Sequence, residues 1–226
     1  MLEKEKKIRS NKDLIDLGYV QISDVDVFGL EKAIKASKYP MAVDTEKCTT
    51  EIVDRTKKLG SCRTGEGHDN FLKGIIVQFD LTNTPKMSVE VERYHFIDFI
   101  SSQSTMHRIT KFDLDKCYIK YVDKRCINVI REKIDEYNSI IEIRDTFNRE
   151  SDEWKSFDEQ AKEKYLEILY SNPCGMLLTA RMTTNYQQLK TIYQQRRNHR
   201  LPEWQAFCDW LETLPHFMEL CFGKED

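Results

Sequence analysis

The sequence has few of the residues that break a chain into loops and linkers. Its 226 residues include only 8 glycines and 5 prolines. It contains neither a G-x-G-x-x-G loop nor a Walker-type phosphate loop, which disfavours dinucleotide and NTP binding by those routes. No repeat, low-complexity tract or Pro/Gly/Ser linker divides it. We therefore predict one domain over residues 1–226, with residues 1–25 as an N-terminal extension and residues 121–171 as a helical segment.

Long apolar runs are also missing. None approaches the roughly 20 residues that span a bilayer, and the charged segment from Met1 to Asp13 lacks the apolar core of a signal peptide. We expect no membrane partner and a cytoplasmic location. The formal net charge is -3, so bulk charge does not favour binding to nucleic acid, although a local basic cluster can still hold phosphate.

Cysteines at metal-binding spacing are absent. The 7 cysteines form no C-x-x-C pair, so the sequence predicts neither a disulfide framework nor a zinc site. None of them stands in a recognisable activating context. Buried, reduced thiols are therefore favoured over a nucleophilic cysteine, and no metal is expected.

The patterns that are present favour helices around a few strands. Periodicity and end signals predict helices at 26–37, 45–59, 88–99, 121–149, 153–170, 185–196 and 202–214, and strands at 71–81 and 175–182. This order predicts an α+β fold, with a small antiparallel or mixed sheet surrounded by helices.

Two segments near the predicted first strand carry candidate ligand contacts. The loop from Arg63 to His68 contains glycines that permit close approach of a ligand, and His68 can donate or accept hydrogen bonds there. An ordinary surface loop is the alternative. The second segment holds Tyr94 and His95 and then a hydroxyl-rich run from Ser101 to Arg108. Its hydroxyls, amides and Arg108 suit a phosphate or a pyrimidine edge, whereas a capped turn with a solvated arginine explains the same residues.

Two further segments lie near the C-terminus. Arg181 to Asn185 lies where a strand passes into a helix, and unsatisfied amides at helix N-termini attract anions. Simple N-capping is the alternative. Arg196 to Arg200 places several cations at a helix end. An anion pocket suited to a nucleotide phosphate and a favourable helix-dipole interaction both account for them.

These segments resemble, in order and spacing, the motifs of the flavin-dependent thymidylate synthases. The family motifs are a G-H-x-S-P-L-E-H loop, the signature R-H-R-x7-S, an N-A-R-S-L-x-x-F-L-x-L-R helix and an A-Q-x-E-I-R segment. The corresponding residues here are GHDNFLKG at 67–74, YHF at 94–96 followed by Ser104, NYQQLKTIYQQR at 185–196 and PEWQ at 202–205. The resemblance extends from about Gly29 to Leu214.

The resemblance implies a fold, a reaction and a set of site residues. That family makes thymidylate from deoxyuridylate with FAD, NADPH and methylene-tetrahydrofolate, in homotetramers whose active sites form between subunits. By position, Ser104 corresponds to the signature serine beside the substrate and is the candidate catalytic residue. The cofactor contacts would be His68, Tyr94, His95 and Asn185. The contacts to a dUMP-like nucleotide would be Gln103, Arg108, Arg181 and Arg196.

Departures from the family motifs leave three hypotheses open. Tyr94 and Phe96 replace both signature arginines, and neither can reproduce the bidentate grip of a guanidinium on the FAD pyrophosphate. Both rings can instead stack on an isoalloxazine or a base. The hypotheses are a divergent methylating enzyme, a catalytically inactive nucleotide-binding protein on the same fold, and an interaction protein. Retained Ser104, Arg108 and Arg196 favour nucleotide binding over the third.

Overall fold

The computed structural model describes residues 15, 16 and 18–224. The chain divides into two compact units. In the part that is described, the first unit holds residues up to Asn83, Met87–Ser102 and the segment from Thr179 onward, and the second holds Thr84–Lys86 and Gln103–Leu178. The single domain over 1–226 stays a prediction, and the charged segment from Met1 to Asp13 lies outside the described residues.

The strands of the first unit form an antiparallel sheet. They are β1 (Ile15–Asp16), β2 (Gln21–Phe28), β3 (Ile76–Asn83), β4 (Asp98–Ser102) and β5 (Leu178–Asn185), in the order β1-β2-β3-β5-β4. Pairing is antiparallel between β1 and β2, between β2 and β3, and between β4 and β5. Alternation along β3 and β5 buries one face and leaves polar side chains half-buried on the other, as expected when one sheet face packs against helices.

The helices in the described part of the chain are mostly short. They are α1 (Leu30–Ala36), α2 (Asp54–Gly60), α3 (Pro85–Val91), α4 (Thr105–Arg108), α5 (Lys124–Arg144), α6 (Asp152–Ser171), α7 (Tyr186–Arg196), α8 (Pro202–Leu211) and α9 (Phe217–Phe222). In the first unit, Phe79 of β3 packs against Phe207 and Trp210 of α8, with ring centroids 6.0 and 4.7 Å away. This aromatic contact fastens α8 to the buried face of the sheet.

The second unit is built around the helix pair α5 and α6. Asp123 and Ser151 cap the two helices through their side-chain oxygens, as is typical of residues that begin helices. Ile130, Ile134 and Ile168 are among the buried residues of its small core. The helical segment predicted at 121–171 lies entirely within this unit.

The predicted fold class is confirmed, since the structure is α+β with a small antiparallel sheet flanked by helices. Helices α6 and α7 and strand β5 also agree with the sequence patterns to within about three residues. Two predicted helices are partly wrong. Residues 26–28 continue strand β2, because they pair with β3, and residues 98–102 form strand β4, because they pair with β5.

The segment predicted as one helix over 45–59 is also different. It contains a single 3-10 turn at Thr45–Lys47 and then α2, which begins only at Asp54. The predicted strand 71–81 begins late as well, since Asn70–Gly74 forms a 3-10 helix before β3. In each case an apolar pattern was read as a single element although local turns divide it.

Gly29 offers a test of the backbone geometry before α1. Its φ is 74°, and a Cβ added there would overlap the carbonyl oxygen of Gly74, whereas Gly18 at φ 77° has open space around the same position. Alanine in this left-handed region costs roughly 1–2 kcal/mol at either site, and overlap at Gly29 adds about 1–3 kcal/mol. Gly29→Ala is therefore expected to unfold in less urea than Gly18→Ala. Equal midpoints for the two variants would contradict this account.

Candidate functional site

A buried ion pair fixes the glycine-bearing loop onto α7. The Nζ of Lys190 lies 2.9 Å from Oδ2 of Asp69, and both side chains are 1% exposed. The same ammonium donates to the carbonyl oxygens of Gly60 and Cys62, at 2.7 and 2.6 Å. The other oxygen of Asp69 accepts from Nε2 of Gln187 at 2.7 Å. Every proton of the ammonium therefore has an acceptor, as burial of a lysine requires.

This loop and the start of α7 line a half-open cavity of about 640 Å³, within the size range of small-molecule sites. The loop contributes Thr64, Gly65, Gly67, Asp69, Asn70 and Lys73; the α7 segment contributes Asn185, Gln187, Gln188 and Thr191; Phe96 completes the lining. The walls therefore combine side-chain amides and hydroxyls with apolar surface that includes one aromatic ring. Such groups suit a planar ligand with hydrogen-bonding edges.

Phe96 holds an unusual backbone conformation at the cavity wall. Its φ is 66°, a left-handed value that is a genuine outlier for a bulky side chain. The side chain is 68% exposed, so burial does not explain its position. Phe96 also lines a second, open hollow of about 540 Å³ together with Tyr94, His95 and residues on either side of them. Strained, exposed residues of this kind concentrate at ligand sites.

Arg196 is surrounded by side chains of the same protein and does not face an open pocket. Its Nη1 is 3.0 Å from Oε2 of Glu90, and its Nε donates to the hydroxyl of Tyr94 at 2.7 Å. The guanidinium also lies over the rings of Tyr94 and Trp204, 5.4 and 4.9 Å from their centroids. Trp204 donates its indole N–H to the same carboxylate oxygen at 3.0 Å. The charge and the planar faces of Arg196 are thus satisfied within the protein.

Two neighbouring basic residues of this helix end also have acidic partners. Arg197 lies 2.6 Å from Oδ1 of Asp209 and 3.4 Å from Oε1 of Glu212. His199 lies 3.5 Å from Oε2 of Glu90. Acidic side chains of the same protein therefore lie beside three of the basic residues at 196–200.

Arg181 lies on the half-buried polar face of the sheet. It forms ion pairs with Asp24, Asp26 and Asp80, at N–O distances of 3.2, 3.6 and 3.3 Å. It also donates to the backbone carbonyl of Asp24 at 2.7 Å. This arginine ties β5 to β2 and β3 across the sheet.

The predicted site residues fall in different places. Asn185 lines the cavity and caps α7 by accepting from the amide of Gln188 at 3.0 Å. His68 is exposed, between two residues of the lining. Tyr94 and His95 line the open hollow. Ser104, Gln103 and Arg108 belong to the second unit. Their roles in binding or catalysis stay predictions.

The sequence interpretation missed Lys190, Glu90 and the glutamines of α7. Lys190 follows Tyr186 by four residues and lies with Leu189 on the buried face of α7, so helical spacing was an available signal, although nothing local indicates that Asp69 lies beside it. Glu90 gives no signal either, because its partners are more than 100 residues away. Gln187 and Gln188 stand two and three residues after Asn185, so the clue to them was their place in the first turn of the helix.

All seven cysteines are free, but only three are buried, so the expectation of buried thiols holds in part. Burial raises the pKa of the Cys117 thiol to about 11 and that of Cys208 to about 12, and it also raises the pKa of Cys221. These three thiols are protonated at neutral pH and unsuited to nucleophilic attack.

The described residues lack two further kinds of feature. They contain no group of three or more His, Cys, Asp or Glu side chains placed to hold a metal ion. Within the same residues, no helix combines the length and apolar character needed to cross a bilayer.

No protein-family model matches this sequence, and no curated protein matches it. Solved structures do resemble its fold. Two crystal structures of the flavin-dependent thymidylate synthase ThyX from Helicobacter pylori, each with FAD and dUMP, align with a TM-score of 0.60. Sequence identity is 11% and 12%, and each alignment covers 87% of this chain and 94% of the other. The chain therefore has a ThyX-like fold.

Proposed function

We propose that this protein binds a dUMP-like pyrimidine deoxynucleotide, with the base inserted in the cavity between the loop at 64–73 and the start of α7. The observation that carries this proposal is the convergence of amide side chains and one exposed aromatic ring on a cavity of about 640 Å³. The fold is shared with solved structures of ThyX that contain FAD and dUMP.

The lining has the chemistry to recognise a pyrimidine. A uracil ring presents two carbonyl acceptors and one N–H donor, and the side-chain amides of Gln188 and Asn70 each offer donors and an acceptor. The ring of Phe96 supplies an apolar surface for stacking. Asp69 is held by Lys190 and Gln187, so it serves to fix the wall of the cavity.

The same residues fit only part of FAD. An isoalloxazine has a pyrimidine-like edge and a flat face, which the amides and Phe96 suit. The pyrophosphate needs cations or free amides, and among the described residues of the lining only Lys73 is cationic. We therefore assign the base as the recognised group and derive no flavin-dependent step.

Methylation of the nucleotide with FAD, NADPH and methylene-tetrahydrofolate is the second candidate. The ThyX-like fold over 87% of the chain favours it. An absorption spectrum of the purified protein separates the two candidates. Flavin bands near one per chain, with thymidylate formed from dUMP, would establish the enzyme. A colourless protein that takes up no added FAD but binds dUMP would establish the binding protein.

Calorimetric titration with dUMP tests the binding site directly. Gln188→Leu removes one amide from the lining at nearly constant volume and is expected to weaken dUMP binding about tenfold, the value of roughly one hydrogen bond to a buried polar group. Gln160→Leu, on the exposed surface of α6, is the matched control and should leave the affinity unchanged. Absence of dUMP binding to the unsubstituted protein, or equal affinity in Gln188→Leu, would contradict the proposal.

A further inference from the structure

The two arginines of the first unit that were predicted to hold the substrate are both engaged within the protein. Arg196 is paired with Glu90, and its guanidinium contacts the rings of both Tyr94 and Trp204. Its side chain is 15% exposed. Arg181 is paired with three aspartates on the sheet. A phosphate would have to displace these partners, because each guanidinium already faces carboxylate oxygen.

Backbone amides at the N-terminus of α7 also already have hydrogen-bond acceptors within the protein. Helix N-termini attract phosphate when their first amides lack partners. Here the amide of Tyr186 donates to the carbonyl oxygen of Ile75 at 3.0 Å, and the amide of Gln188 donates to the side chain of Asn185 at 3.0 Å. Two of the amides that would face an anion are therefore occupied.

Lys73 is then the one cationic side chain among the described residues that line the cavity. It is exposed, and an exposed lysine contributes little to holding an anion, because water and salt screen its charge. The remaining lining consists of neutral amides, hydroxyls, the paired Asp69 and the ring of Phe96. The lining thus offers hydrogen bonds and a stacking surface to a flat, neutral ring, but only one screened positive charge to a dianion.

We propose that this cavity recognises the nucleoside part of its ligand and binds an uncharged pyrimidine nucleoside about as tightly as the corresponding monophosphate. This inference rests on the proposed function and narrows it to a class of ligand. Phe96, the one aromatic residue among the described residues of the lining, is the specificity-determining residue, because stacking replaces the phosphate grip as the main contribution to binding.

Parallel titrations with deoxyuridine and dUMP, at low and moderate salt, test this inference. The two affinities are expected to agree within about threefold and to change little with salt, because a screened lysine adds well below 1 kcal/mol. A dUMP affinity more than about thirtyfold above that of deoxyuridine, falling as salt rises, would overturn the inference and leave the proposed function intact. If neither ligand binds, both the inference and the proposed function are wrong.

Variants of Phe96 provide a second measurement. Phe96→Gly removes the ring and suits the left-handed backbone, so the variant should fold at least as stably while its affinity for deoxyuridine falls about tenfold. Phe96→Trp keeps an aromatic surface and should retain the affinity. Lys73→Ala should leave the ratio of the two affinities unchanged, with the exposed Lys58→Ala as control. Unchanged deoxyuridine affinity in Phe96→Gly would overturn the assignment of Phe96.

Discussion

Replacement of Lys190 by methionine is expected to lower the free energy of unfolding by about 3–5 kcal/mol, the usual cost of removing one partner from a buried ion pair. Lys190 and Asp69 are each 1% exposed, and their charged atoms lie 2.9 Å apart. Loss of the ammonium leaves the Asp69 carboxylate without its counter-charge and the carbonyls of Gly60 and Cys62 without their donor. Urea denaturation followed by circular dichroism measures the change.

Three companion variants identify the source of that loss. Asp69→Asn should destabilise the protein in the same direction, because it leaves the ammonium buried beside a neutral amide. The double variant Lys190→Met with Asp69→Leu should cost less than the sum of the single changes, because neither charge then remains. Lys58→Met, at an exposed position of α2, is the control. A loss below about 1 kcal/mol for Lys190→Met would show that the ion pair does not anchor the loop.

The sequence predicts those elements whose formation depends on neighbouring residues alone. Helices α6 and α7 begin at capping residues, Ser151 and Asn185, and run with sustained helical spacing, so the sequence alone places them. Strands β2 and β4 were missed, because each depends on pairing with a strand distant in sequence. The helix predicted over 88–99 ends in the structure at Val91, and turns that include the left-handed Phe96 lead the chain into β4. Phenylalanine rarely adopts a left-handed backbone, so the sequence does not predict this conformation.

Only part of the candidate site was predictable from sequence motifs. The glycine-bearing loop and Asn185 were both identified, and the structure brings them to one cavity. The partners of the charged residues were not predictable. Arg196 has the same sequence signal whether it faces solvent, a phosphate or Glu90, and only the tertiary fold brings Glu90 within 3.0 Å. The ion pair with Glu90 therefore changes the interpretation of Arg196 from a phosphate ligand to a residue with an internal partner.

Arg196 provides the sharpest test of that altered interpretation. Arg196→Met is expected to destabilise the protein by about 2–4 kcal/mol, somewhat less than a fully buried pair, because the side chains of Arg196 and Glu90 are 15% and 13% exposed. The variant leaves the Glu90 carboxylate without the guanidinium and removes the donor that binds the Tyr94 hydroxyl. Glu90→Gln should cost less, since a neutral amide can still accept from Trp204 and the guanidinium keeps its stacking contacts.

The dUMP affinity of Arg196→Met distinguishes two roles for Arg196, an ion pair within the protein and a contact to the phosphate of the nucleotide. If Arg196 gripped the phosphate, Arg196→Met would lose on the order of a hundredfold in dUMP affinity, because a charge-assisted bidentate contact is worth about 2–3 kcal/mol. Because its charge is already satisfied by Glu90, we expect dUMP affinity to stay within about threefold of the unsubstituted protein, measured well below the melting temperature of the variant. A large loss of affinity with unchanged stability would restore Arg196 as the phosphate ligand. It would also require that dUMP displace Glu90 on binding.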